Sequence, residues 1–311
     1  MRTRAGFLLP YAMRYTKPAL PLQQQVALLQ SRGLVVEDVT QAERDLARLS
    51  YYRLAAYFLA FQTPSDPTHR FRAGTTFAQT VQLYEFDEAL RFLVFRATGV
   101  IEVALRAQLV YHNSLLLGPH WYENQAACIN AGRFQNNLVE LDKELNRAHE
   151  TFLDHYRATY TAPARPPSWM ALEVASFGLT SKLFNNLRSS NATKAIGRFF
   201  GVDEIVLRSW MRMLSYVRNV CAHHSRLWNR TLTVKPTLPR RTANQWLLTN
   251  TVADDRVYIV LAIAAYLQSA MSAEAGRSFK ESVKDLLRQN AAVLTRAMGF
   301  PTGWEQEAFW Q

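Results

Sequence analysis

A short run near residue 220 combines side chains that can act on a phosphodiester. Arg218, Asn219 and His223 follow one another closely in the run RNVCAHHSRLWNR. Asn219 and His223 are four residues apart, so a helix places them side by side, and the long stem of Arg218 reaches the same point. Imidazole moves protons near neutral pH, and guanidinium and amide groups hold phosphate charge. These groups predict attack by a ribose 2′-OH, a reaction that requires RNA and needs no metal or cofactor.

The phase of the same predicted helix distinguishes between two adjacent histidines. A helix from Asp203 to Trp228 turns about 100° per residue. His224 then falls near an apolar stripe, which predicts a buried or supporting histidine, whereas His223 falls on the polar face and is the choice for catalysis. The apolar stripe comprises Trp210, Leu214, Val217, Cys221 and Trp228.

The polar face of this helix carries arginines, and arginine grips phosphate with a planar fork. We expect the cations and the amide along this segment to contact RNA: Arg208, Arg212, Arg226, Asn229 and Arg230. The last two could instead cap the helix. A solvated basic helix whose arginines make surface ion pairs would show the same pattern.

Glu102 is the carboxylate that most needs an explanation. It shares a predicted helix face with Phe95 and Leu109, and a carboxylate on an apolar face must be paired or protonated. It could steady an arginine or histidine of the site, or simply tie two helices together. Arg106, one turn further on, is a suitable partner.

The composition indicates a basic intracellular protein. Lys and Arg number 36 against 25 Asp and Glu, which gives a net charge of +11 and favours a polyanionic partner. A GC-rich genome would also produce the arginine bias.

The two cysteines, Cys128 and Cys221, are far apart and predict neither a disulfide framework nor a zinc site. The basic N-terminus is too polar for a signal peptide, and no apolar run reaches the ~18 residues of a membrane span. We therefore predict a cytoplasmic protein without membrane contact.

Helix signals dominate the whole chain and predict an all-α fold. A stretch rich in proline and glycine between residues 62 and 76 separates an N-terminal helical region, residues 1–75, from a larger helical domain, residues 76–311. Thr76 and Gln79 form a capping box that opens a long helix, continuous or kinked at Gly99. Further helices are expected over residues 138–160, 257–271 and 280–298. No alternating pattern typical of strands is present.

Several runs occur in an order that resembles a known family. They are SYYRLAAY, LYEFDEALR, IEVALR, PPSWMALEVASFG, LSYVRN and RNVCAHHSRLWNR. Together, from about Lys17 to Leu287, they resemble the Abi-like (AbiD/AbiF type) abortive-infection family of bacterial phage-defence proteins. That family is placed in the HEPN superfamily, whose motif is Arg, usually a polar residue, and a His after four to six intervening residues. Arg218, Asn219 and His223 match it, and His224 matches it one residue later.

The resemblance implies a HEPN-type helical bundle with an N-terminal helical extension, and a metal-independent endoribonuclease toxin. It also implies a homodimer that brings two motifs together, and RNA both as substrate and as a structured regulatory partner. Arg106 and His112 form a possible internal second copy, although no polar residue follows Arg106. The alternatives are a non-cleaving RNA-binding scaffold, a regulatory protein bound to an antitoxin RNA, or an interaction protein that senses a phage component.

Overall fold

The computed structural model describes residue 16, residues 18–248 and residues 252–311. Over these residues the regular structure consists of twelve α-helices and four short 3-10 helices, with three isolated β-bridges as the strand-like pairings. The predicted all-α fold is confirmed. The interpretation of the basic N-terminus rests mainly on residues 1–15, which lie outside the described part, as does Lys17, where the resemblance begins. Within the described part, no helix has both the length and the apolarity to cross a membrane.

The chain divides after Tyr84 into two compact units. The described residues of the first unit form three complete helices and the beginning of a fourth: α1 (Leu22–Ser31), α2 (Val39–Leu49), α3 (Tyr51–Phe58) and α4 (Phe77–Leu117). The division falls inside α4, whereas the sequence predicted a boundary at residue 75, just before it. The capping box is confirmed, because Thr76 and Gln79 exchange backbone-to-side-chain hydrogen bonds of 3.0 and 3.1 Å. α4 then continues through Gly99 as one helix.

In the second unit, the part of the chain that the structure describes contains the rest of α4 and eight further α-helices. They are α5 (Ala131–Arg147), α6 (Thr151–Thr159), α7 (Ser168–Val174), α8 (Phe177–Asn186), α9 (Asn191–Phe199), α10 (Glu204–Ala222), α11 (Val257–Met271) and α12 (Ala273–Gln289). The helix predicted over residues 138–160 is two helices, α5 and α6. α11 has the predicted bounds and is buried on all sides from Val257 to Gln268, so it forms the centre of this core.

Helix α10 is shorter than predicted, because it ends at Ala222 and not at Trp228. His223 is the C-terminal cap, and His224 adopts a left-handed backbone with φ of 52°. The N–H groups of His224 and Ser225 donate to the carbonyls of Cys221 and Val220, both at 3.0 Å. This pair of bonds is the Schellman arrangement, which satisfies the last carbonyls of a helix and turns the chain away. α10 packs against α8 and α9, and α8 also packs against α5.

Candidate active site at the end of helix α10

The apolar face predicted for α10 lies in the core, which orients the opposite face outward. Trp210, Leu214, Val217 and Cys221 are all buried. Arg212 and Asn219 are exposed on the other side, as the helical spacing requires. Burial raises the pKa of the Cys221 thiol to about 12, with the nearby Asp87 charge adding to the effect. Cys221 therefore acts as a packing residue in this helix.

Arg218 links the exposed face of α10 to helix α4. Its Nη1 donates to Asn219 Oδ1 at 3.2 Å, and its Nη2 lies 3.4 Å from Glu102 Oε2. The Glu102 residue is 7% exposed, so its charge needs compensation. The motif arginine is thus anchored at one end by a buried carboxylate and bonded at the other to the motif amide.

Glu102 also binds Arg106, in the ion pair that the sequence predicts. Arg106 donates to the backbone carbonyls of Glu173, at the end of α7, and Ala175, just after it, at 3.4 and 2.6 Å. Glu102 therefore bridges two arginines, and the Arg106 arm fixes its position. Arg106 therefore shares a partner with Arg218, which does not support a second motif formed by Arg106 and His112. His112 is half-buried, and its pKa is lowered by burial and by the charge of Arg198.

The two histidines differ from the expectation in one respect. His223 is exposed, and its backbone N–H donates to the Asn219 carbonyl at 3.0 Å, so it continues the Asn219 face by one turn. Of the two roles predicted for His224, the buried one is wrong, because His224 is exposed as well; the supporting role stays a prediction. The physical reason is the end of the helix: beyond Ala222 the left-handed turn at His224 replaces the helical phase on which that prediction depended.

Asp87 stabilises the segment that follows the two histidines. It is fully buried, accepts a 2.6 Å bond from Arg91 Nη1, and accepts the backbone N–H groups of Leu227 and Trp228 at 3.1 and 2.6 Å. Sequence reasoning did not find these backbone bonds. The usable signal was a carboxylate and an arginine at helical spacing on an apolar face.

The two arginines on α10 that were expected to contact RNA, Arg208 and Arg212, differ in how accessible they are. Arg212 is exposed, whereas Arg208 donates to the Leu187 carbonyl at 2.6 Å and lies 5.1 Å from the Phe184 ring. Burial lowers the pKa of Arg208, and the negative charges of Glu204 and Asp203 raise it by a smaller amount. The expectation that Arg208 contacts RNA is therefore corrected: it ties α10 to the end of α8.

The remaining candidates lie beyond α10 in partly buried positions. Arg230 Nε donates to the Arg226 carbonyl at 2.8 Å; this bond lies in the loop after α10 and does not cap the helix, which ends at Ala222. The Asn229 carbonyl accepts a 3.3 Å bond from Arg256 Nη1. Bonds to the backbone carbonyls of Arg226 and Asn229 thus hold this segment in place.

A polar groove of about 750 Å³ opens beside the motif, with walls from α5, α8 and α10. Its α10 wall includes Arg212, Ser215 and Asn219, which follow one another at helical spacing. His223 comes one turn after Asn219 in the same direction. Sequence reasoning did not find this groove, since its walls come from three helices that are distant in the sequence.

Comparison with known proteins adds one finding. The sequence profile of the Abi-like protein family matches residues 44–229, a stretch that covers more than half of the chain and contains Glu102, Arg106 and all of α10. No curated protein and no solved structure matches the chain.

Proposed function

The chain belongs to the Abi-like protein family, and we propose that it is a metal-independent endoribonuclease of the HEPN type. Membership of this family suggests a role in abortive-infection defence against phage. One observation supports the cleavage chemistry. A guanidinium, an amide and an exposed imidazole follow one another at the end of α10, and the guanidinium of Arg218 is anchored by the buried Glu102.

Each group has a role in transfer of the phosphate from the 5′-oxygen to the 2′-oxygen. His223 removes the proton from the ribose 2′-OH, whose oxygen attacks the phosphorus while the bond to the 5′-oxygen breaks. Arg218 and Asn219 hold the phosphate and its developing negative charge. The leaving oxygen takes up a proton, so the products are a 2′,3′-cyclic phosphate and a free 5′-OH.

A homodimer would supply both proton transfers at one site. His223 of one protomer would act as the base, and His223 of the partner subunit would protonate the leaving oxygen. The exposed face of α4 supports this assembly, since it carries Phe92 and Val103, 65% and 63% exposed, with Val103 next to Glu102. Phe95 and Val100 between them are exposed as well, and a row of exposed apolar side chains on one helix is typical of a protein interface.

The test is cleavage of labelled RNA by the purified full-length protein in EDTA. We expect wild type to cut, and His223→Ala to be slower by a factor of about 10² to 10⁴, the contribution of a general acid or base. His224→Ala should cut at nearly the wild-type rate. The products should carry a 2′,3′-cyclic phosphate, and an oligonucleotide with 2′-deoxy residues throughout should remain intact.

Each opposite result is informative. Binding of RNA without cleavage by wild type would favour the non-cleaving scaffold. Loss of cleavage on chelation would contradict the metal-independent mechanism. Cleavage that survives His223→Ala and is lost in His224→Ala would assign the proton transfer to the other histidine.

A further inference from the structure

We propose that the groove between α5, α8 and α10 binds an unpaired RNA strand that continues from the scissile phosphate. This inference rests on the proposed ribonuclease function and adds to it the part of the protein that selects the substrate. The α10 wall of the groove runs through Arg212 and Ser215 to Asn219. Because His223 follows Asn219 by one helical turn, a strand lying along this wall ends at the histidine.

The charges of the groove suit a phosphate backbone. Its walls carry three cations, Arg133, Lys182 and Arg212, and one carboxylate, Glu140. Lys182 Nζ binds both oxygens of Glu140, at 2.7 and 2.9 Å. The guanidinium groups of Arg133 and Arg212 are exposed, and neither makes an ion pair or hydrogen bond within the described residues. They lie on α5 and α10, so the phosphates of a bound strand can be contacted from two walls.

Two amides on α5 suit the edge of a base. Asn137 is 5% exposed and lines the groove, and its carboxamide has no hydrogen-bond partner among the described residues. Asn136 lines the groove as well and is exposed. Asn186, in contrast, uses its carboxamide on the Asn130 backbone, at 3.0 and 3.1 Å. Because the Asn137 carboxamide lines the groove and bonds no other described residue, it is available to a ligand that both donates and accepts hydrogen bonds.

These features favour an unpaired strand over a duplex. The amides can reach a base only if its hydrogen-bonding edge is free, and in A-form RNA the paired bases turn those edges toward each other. An amide both donates and accepts, which matches the edge of a nucleobase. The groove volume of about 750 Å³ also falls within the range of ~300–1,000 Å³ typical of sites for small ligands, whereas a duplex would lie across its rim.

The test measures binding separately from cleavage, in full-length protein carrying His223→Ala. Fluorescence anisotropy is recorded with labelled 12-nucleotide U, A and C homopolymers and with a mixed-sequence strand, alone and as a blunt duplex. We expect the single strand to bind more tightly than its duplex. Arg212→Ala should reduce the slope of log affinity against log salt by about 0.7, the value for one phosphate contact to a single strand. Arg277→Ala, which removes an exposed arginine from α12, should leave affinity and slope unchanged.

Asn137→Ala should weaken binding of the preferred homopolymer by roughly three- to tenfold and leave the salt slope unchanged, because an amide carries no charge. Asn136→Ala, at an exposed position, repeats the test without disturbing the core, and thermal melting checks that both variants fold. Equal binding of strand and duplex would overturn the inference, as would an unchanged affinity for the preferred homopolymer in both folded variants. If wild type cuts no RNA but the binding results are as expected, the groove binds RNA and the proposed ribonuclease function is wrong. If the groove variants cut and bind RNA as wild type does, the groove proposal is wrong and the ribonuclease function is retained.

Discussion

At the scale of single residues, Glu102 is the group through which α4 acts on the motif. One carboxylate oxygen binds Arg218 and the other binds Arg106, which is held by backbone carbonyls of the Glu173–Ala175 segment. Glu102 itself is buried, and nothing in the described structure brings it into the groove. It is therefore a positioning residue, which sets the direction of the Arg218 guanidinium without touching RNA.

Glu102→Gln should lower kcat by roughly 10- to 100-fold with little change in KM, because a misdirected guanidinium supports the transition state less well. Glu102→Asp keeps the charge and should restore part of the loss. Steady-state kinetics on a labelled RNA measures both constants. Glu173→Gln, an exposed carboxylate nearby, serves as the control and should be neutral. An equal loss of kcat in Glu102→Gln and Glu102→Asp, with matching loss of folded protein, would indicate a purely structural role.

At the scale of elements, the segment after α10 is held by a buried carboxylate and not by helix propensity. Asp87 on α4 accepts the N–H groups of Leu227 and Trp228 and the Arg91 guanidinium. At the start of this segment, His224 occupies a left-handed conformation that costs a non-glycine residue about 1–2 kcal/mol. The bonds to Asp87 offset such a cost, so they keep the chain turning immediately after His223.

Asp87→Asn should lower the free energy of unfolding by about 3–5 kcal/mol, because it removes the buried negative charge that pairs with Arg91 and accepts two backbone N–H groups. Urea denaturation monitored by tryptophan fluorescence measures this loss. Asp154→Asn, in an exposed ion pair with Arg157, is the matched control and should change stability by less than about 1 kcal/mol. A similar, small effect of both substitutions would contradict the role assigned to Asp87.

At the scale of the whole molecule, the proposed homodimer depends on the exposed apolar face of α4. Phe92, Phe95, Val100 and Val103 are exposed along this helix. The same helix carries Glu102, whose partner Arg218 belongs to the motif. A second copy seated on this face would therefore lie close to the proposed site.

Val103→Glu should convert the dimer to a monomer and reduce cleavage at least tenfold, because the new charge would be buried between two copies, at a cost of about 1.4 kcal/mol or more. Sedimentation velocity gives the assembly state, and the RNA assay gives the activity. Ile205→Glu changes a residue of similar exposure on α10 and should alter neither. A wild-type protein that is monomeric but active, or a Val103→Glu dimer that cuts normally, would refute this arrangement.

Features that depend on near neighbours in the chain were predictable. The amphipathic pattern of α10, the capping box before α4 and the Glu102–Arg106 ion pair all follow from spacings of three or four residues, since a helix brings such side chains together. α11 was predicted with its observed bounds, because its apolar run is long and has clear ends. The end of α10 was not predictable in this way, since the run from Cys221 to Trp228 contains neither glycine nor proline.

By itself, the sequence determined an all-α protein and a helix that carries Arg218 and Asn219 outward, with His223 one turn later. Only the tertiary structure decided that Arg208 is tied to α8, that Glu102 holds Arg218, and that three helices enclose a groove beside the motif. Each of these depends on contacts between segments far apart in the chain. Local spacing determines which face of a helix is polar, but the packing of other helices decides which of its polar groups remain accessible.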